Sequence, residues 1–158
     1  MLCKDKITSI FCIIDDVLKE IKHSEDIRRK VSDSEIITTA FIAATNFYGN
    51  HRSAIKFVKQ YNLFPNMLEE SRFNRRLHSL GNMLYELFHL IASLYKDFTC
   101  EMNYIIDSIP VPICQNIRIN RCRIAKGKQY RGYTASMRTY FYGIKVQLVT
   151  TEKGIPIA

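Results

Sequence analysis

The stretch Tyr104-Ile105-Ile106-Asp107-Ser108-Ile109-Pro110-Val111-Pro112 decides how the chain reads. It is a short apolar run, rich in β-formers, interrupted by one carboxylate and closed by two prolines. That composition predicts a first strand over about Met102 to Ile109, with Asp107 near its end. An acid at the end of a buried strand is costly to desolvate, so the pattern asks for a cation opposite it, and a divalent metal is the natural one. The plainer reading is local: an Asp followed by Ser also caps turns and helices.

The residues that follow weigh on that choice. Between Asp107 and Glu152 there is no acid at all, yet Arg118, Arg121, Arg123, Lys126, Lys128, Arg131, Arg138 and Lys145 fall there, as many cations as the whole formal net charge of +8. The positive field is concentrated. Tyr130, Tyr133, Tyr140, Phe141 and Tyr142 are interleaved with it, offering flat faces for bases or sugars beside cations for phosphates. A solvated charged loop would normally mix both signs, so nucleic acid is the expected partner.

The rest of the composition is that of an ordinary globular chain, with 158 residues, 47% hydrophobic and 24% charged. An isoelectric point near 9.3 again points to an anionic partner. Five cysteines (Cys3, Cys12, Cys100, Cys114 and Cys122) are odd in number and form no C-x-x-C pair. A disulfide framework or zinc site is therefore not expected, and free thiols in a reducing cytoplasm are. No apolar run has the length of a bilayer span, and no signal peptide precedes the first periodic segment.

Upstream the periodicity is helical. Ile7, Ile10, Phe11, Ile14, Val17, Leu18 and Ile21 form one apolar stripe over about Lys4 to Lys22. Ser32 and Glu35 make a capping box before Ile36, Ile37, Ala40, Phe41, Ala44 and Phe47, and Gly49 stands where a helix ends in a left-handed residue. A shorter helix is predicted from His51 to Tyr61. The two could form a DNA-reading helix-turn-helix or simply two members of a bundle. From Ser71, Phe73, Leu77, Leu80, Leu84, Leu87, Phe88, Ile91 and Leu94 predict one long helix, or two meeting at Gly81. Its exposed face is expected to offer Arg72, Arg75 and Arg76 to phosphates. His23, His51, His78 and His89 lack metal-ligand spacing and are assigned no chemistry.

Downstream, Pro110 to Met137 reads as basic loop and Tyr140 to Thr150 as an alternating strand. Thr151 to Gly154 reads as a turn and Ile155 to Ala158 as the opening of a returning strand. The expected class is α+β: a helical N-terminal domain over 1–98 for DNA or partner subunits, then sheet over 99–158. A sheet left unfinished at Ala158 suggests a truncated chain with an exposed edge.

These pieces in this order resemble the DDE transposases of bacterial insertion sequences, most closely the insertion sequence 982 group. The resemblance rests on Ile105-Ile106-Asp107-Ser108 with Pro110-Val111-Pro112-Ile113-Cys114, on Tyr130-Arg131-Gly132-Tyr133, and on Tyr142-Gly143-Ile144-Lys145 leading to Glu152-Lys153-Gly154-Ile155-Pro156. Ser71-Arg72-Phe73-Asn74-Arg75-Arg76-Leu77 looks like that family's helical N-terminal region. The resemblance implies a ribonuclease-H-like domain opening on an antiparallel meander. In it three carboxylates hold two divalent ions, Mg²⁺ or Mn²⁺, for phosphoryl transfer on double-stranded DNA at the element's terminal repeats. Asp107 alone matches a family acid, as the first metal ligand. The other two belong to strands and helices beyond this sequence, and Glu152, in the predicted turn, is no substitute.

The expectation is thus a transposase by descent, cytoplasmic and nucleoid-associated, inactive by itself and able to associate with itself or with an intact transposase. The alternative is a non-catalytic DNA-binding or regulatory fragment occupying element ends. A role at membrane surfaces fits less well, because the arginines cluster with tyrosines in loop and strand, not along one helix face.

Overall fold

The computed structural model describes residues 3–99 and 103–157. The chain divides into two compact units, Met1–Leu84 and Tyr85–Ala158. The first holds α1 (Lys4–Glu20), α2 (Asp33–Phe47), α3 (His51–Gln60), α4 (Glu70–Ser79) and the opening of α5 (Gly81–Thr99). No helix among the described residues is long and apolar enough to cross a membrane.

The unit is built around α2, which packs against α1, α3 and α4. Its start is set by the expected capping box: the Ser32 hydroxyl accepts the Glu35 N–H at 3.1 Å and the Glu35 carboxylate accepts the Ser32 N–H at 2.8 Å. Its end is left-handed at both Tyr48 (φ 50°) and Gly49 (φ 83°). Ile36, Ile37, Ile42 and Ala43 are buried in one core with Ile7, Ile14 and Leu18 of α1 and Ala54 and Val58 of α3. Thr38 and Thr39 are also buried, and each satisfies its hydroxyl by donating to the carbonyl four residues back.

Between α3 and α4 the contacts are ionic as well. Arg52 donates to Glu70 at 2.6 Å and Lys59 to Glu69 at 2.8 Å. Two of the cations that α3 presents outward are thus paired with acids at the start of α4. The long periodic segment resolves into two helices broken at Leu80. There the Ser79 hydroxyl bonds back to the Arg76 carbonyl at 2.7 Å and Gly81, a poor helix former, begins α5.

The second unit carries β1 (Tyr104–Cys114), β2 (Arg131–Thr134) and β3 (Thr139–Thr151) in one antiparallel sheet of order β1-β3-β2. With the helices this is the expected α+β class. The first strand begins at Tyr104, and Met102, where it was expected to start, lies outside the described residues. It also runs past both prolines, correcting the expected stop at Ile109. β1 is an edge strand, so the missing N–H groups of Pro110 and Pro112 face the open side and cost the ladder nothing.

Two further corrections follow in the link. Residues predicted as loop contain short 3₁₀ turns at Asn116–Arg121 and Lys128–Tyr130, and then β2, which pairs Arg131 to Thr134 with Tyr142 to Thr139. A four-residue strand whose neighbours are mostly polar has too short a period to be read from sequence. β3 and the turn after it lie where expected, with Gly154 at φ 78° and its N–H on the Thr151 carbonyl at 2.9 Å. The chain then returns along β3, bridging Thr150 with Pro156.

Gly143 lies opposite Pro112, next to a register shift in β1, and a Cβ there would sit 2.0 Å from the Val111 carbonyl oxygen. Because that neighbour is backbone, Gly143→Ala is expected to destabilise by about 1–3 kcal/mol. At Gly132 the nearest neighbours of the added carbon would be atoms of the rotatable Phe141 ring, so Gly132→Ala is expected to cost less. Urea unfolding of both variants checks the order.

Candidate nucleic-acid interface

Asp107 sits in the middle of β1, paired with Leu148, and is exposed. The expectation of an acid on a buried strand is therefore corrected, and the desolvation argument for a counter-cation falls with it. The Asp107 carboxylate accepts the N–H of Ser108 at 2.6 Å. Ser108 shares the strand phase of Pro110 and Pro112, so that N–H faces the open edge and would otherwise bond only water.

The cross-strand pairs put Ile105, Ile109 and Val111 of β1 on the same face as Asp107, with Ile144, Val146 and Leu148 of β3 opposite them. Five of these six, all but Leu148, are exposed. Glu152 is four residues beyond Leu148, about 13 Å along the strand at roughly 3.3 Å per residue. It accepts a hydrogen bond from Asn103 at 2.8 Å. Among the described residues no group of three potential metal ligands includes Asp107.

The basic segment is held in a defined shape. Asn116 donates to the Tyr140 carbonyl at 2.9 Å, and the Tyr142 hydroxyl bonds the carbonyls of Ala125 and Gly127 at 3.2 and 3.3 Å. These contacts fold the link back onto the end of the sheet. Arg118, Arg121 and Arg123 line a cleft of about 530 Å³. Lys126, Lys128 and Arg131 line a second, of about 280 Å³, that shares Cys122 with the first. All six of these residues, with Arg138 and Lys145, are exposed, and none is in an ion pair among the described residues.

The tyrosines divide into two kinds. Tyr133 and Tyr140 face each other across β2 and β3 with ring centroids 4.8 Å apart, both exposed, beside the turn that carries Arg138. Tyr142, read as a further contact face, is instead 2% exposed. It is a structural post, because its ring is covered by the link whose carbonyls its hydroxyl holds. By strand alternation Tyr140 shares the face of Asp107, whereas Lys145 projects from the opposite one.

In the helical unit, Arg72 and Arg75 are exposed as expected and Arg76 is not. Its side chain is 13% exposed, and its Nε donates to Asp33 at 2.7 Å, with Nη2 at 2.6 Å from the same oxygen. Asp33 is fully buried and also accepts from His23 at 2.9 Å and Arg29 at 3.2 Å. Arg76 as a phosphate contact is thus corrected, because its charge is already committed to a buried carboxylate. Spacing on one helix could not reveal this, since the partner lies in α2.

His23, Glu25 and Asp33 bring ligand atoms within 4.8 Å of one another, a grouping that histidine spacing did not disclose. The donor set does not fit a divalent cation. Both Asp33 oxygens are taken by cationic or imidazole donors, Glu25 accepts the Asp33 N–H at 2.9 Å, and Arg76 lies 3.7 Å from its other oxygen. Two guanidinium groups occupy the position a metal would need.

Residues 98–158 match the family model of the transposase DDE domain. The match supports a DDE transposase. It covers well under half of the chain but takes in Asp107, Tyr133, Tyr140 and all eight cations of the link and β3, while the helical unit lies outside it. No curated protein and no solved structure matches the chain. DDE transposases work through paired divalent ions. Asp107, one exposed carboxylate already bonded to Ser108, does not by itself hold such a pair.

Proposed function

We propose that the chain acts on double-stranded DNA as part of an insertion-sequence DDE transposase of the insertion sequence 982 type. The observation that carries the reading is the coincidence, within the segment matching the DDE domain, of Asp107 on β1 with eight exposed cations free of acidic neighbours. Arg118, Arg121, Arg123, Lys126, Lys128 and Arg131 bind backbone phosphates along the link, Arg138 and Lys145 extend the field, and Tyr133 with Tyr140 supplies a stacking surface. Arg72 and Arg75 offer a second contact within a helical domain, residues 1–98, that meets DNA or partner subunits.

Asp107 is the first metal ligand of that chemistry. In-line displacement needs two ions about 3.5–4 Å apart, held by several carboxylates, and among the described residues no group of three potential ligands includes Asp107. This stretch of 158 residues, tested by itself, is therefore expected to bind DNA without cutting it.

The test is to incubate the purified chain with terminal-repeat duplex in Mg²⁺ or Mn²⁺. Retention of the duplex uncut is expected, with binding that weakens steeply as salt rises. Metal-dependent nicking that disappears in Asp107→Ala would overturn the inactivity. Absence of binding at low salt would overturn the DNA reading itself.

A further inference from the structure

We propose that Cys114 and Cys122 are a redox-active dithiol, converted by small-molecule disulfides such as glutathione disulfide into an intramolecular disulfide. The inference goes beyond the DNA reading and does not rest on it. Cys114 ends β1, paired with Tyr142, and Cys122 caps the 3₁₀ turn that follows, its N–H on the Ile119 carbonyl at 3.1 Å. Both half-buried thiols line the same cleft of about 530 Å³. The bonds of the buried Tyr142 hydroxyl to the carbonyls of Ala125 and Gly127 keep the segment carrying Cys122 against the end of β1.

The environments of the two sulfurs differ in a useful sense. The backbone N–H of Ala125, then that of Ile124 and the Cys114 thiol, hold Cys122 below the ordinary thiol range. Burial, reinforced by Cys122, pushes Cys114 up, against the smaller effect of Arg118. Cys122 is thus the attacking thiol and Cys114 the resolving one.

The steps balance. The Cys122 thiolate attacks one sulfur of glutathione disulfide, forming a mixed disulfide and releasing one glutathione. Cys114 then attacks the Cys122 sulfur and expels the second. Two protein thiols are oxidised, one disulfide is reduced to two thiols, and the two protein protons end on the released glutathiones.

The experiment equilibrates the full chain in glutathione buffers of rising oxidation, alkylates the remaining thiols, and maps peptides by mass spectrometry. Loss of both free thiols together, with a peptide joining Cys114 to Cys122, is expected, while the exposed Cys3 and Cys12 stay outside that link. In Cys114→Ser a glutathione adduct should accumulate on Cys122. In Cys122→Ser the remaining Cys114 should react more slowly. Full alkylation of both residues in the native chain, separate glutathione adducts without a crosslink, or linkage of either residue to Cys3, Cys12 or Cys100 would overturn the proposal.

Discussion

Arg76→Ala is expected to lower the unfolding free energy by about 3–5 kcal/mol, the usual result of removing one partner from a buried ion pair. Asp33 is fully buried, and Arg76 covers one of its oxygens through both Nε and Nη2. Truncation leaves that oxygen facing protein with neither water nor donor. His23 and Arg29 stay on the other oxygen and do not replace it. Arg72→Ala and Arg75→Ala, on the exposed side of the same helix, are expected to change stability by no more than about 0.5 kcal/mol.

Urea unfolding followed by circular dichroism separates the three. A decrease at Arg76 no larger than at its neighbours would mean that the pair contributes nothing net. The combined replacement Arg76→Met with Asp33→Leu should recover much of the stability, because it removes the stranded charge along with its partner.

The second large effect concerns DNA. Replacing Arg118, Arg121 and Arg123 together by alanine is expected to reduce the slope of log affinity against log salt by about 0.9 for each phosphate that is no longer neutralised. Affinity at low salt should fall for any duplex sequence alike, because phosphate contacts carry no base information. Arg76→Met with Asp33→Leu should leave the slope unchanged, since that cation is committed internally. Fluorescence anisotropy titrations at several salt concentrations provide both readings. An unchanged slope in the triple variant would remove the link from the interface, and a sequence-dependent weakening would reassign it from phosphate to base contacts.

Much of the local structure was legible in the sequence because its causes are local. The Ser32–Glu35 box sets the start of α2 through two hydrogen bonds within one turn. The alternation of Tyr140 to Thr150 is the two-residue period of the strand itself, and Gly154 occupies the left-handed turn that follows. The concentration of cations between Asp107 and Glu152 is likewise a property of composition. All eight prove exposed and, among the described residues, outside every ion pair.

What only the tertiary structure decided is which side chains remain available, because availability depends on partners remote in sequence. Arg76 and Arg75 are adjacent, yet one meets Asp33 across the bundle and the other meets solvent. Tyr140 and Tyr142 share a strand face, but the link folds over Tyr142 and leaves Tyr140 open to stack. Cys114 and Cys122 form no C-x-x-C pair, and it is the turn at Asn116–Arg121 and the Tyr142 hydroxyl that bring them to one cleft. Asp107 keeps its place on β1, but its exposure follows from the packing of the sheet, which its own neighbours in sequence do not specify. Periodicity and caps act within a few residues, while burial and charge pairing are set by which elements meet.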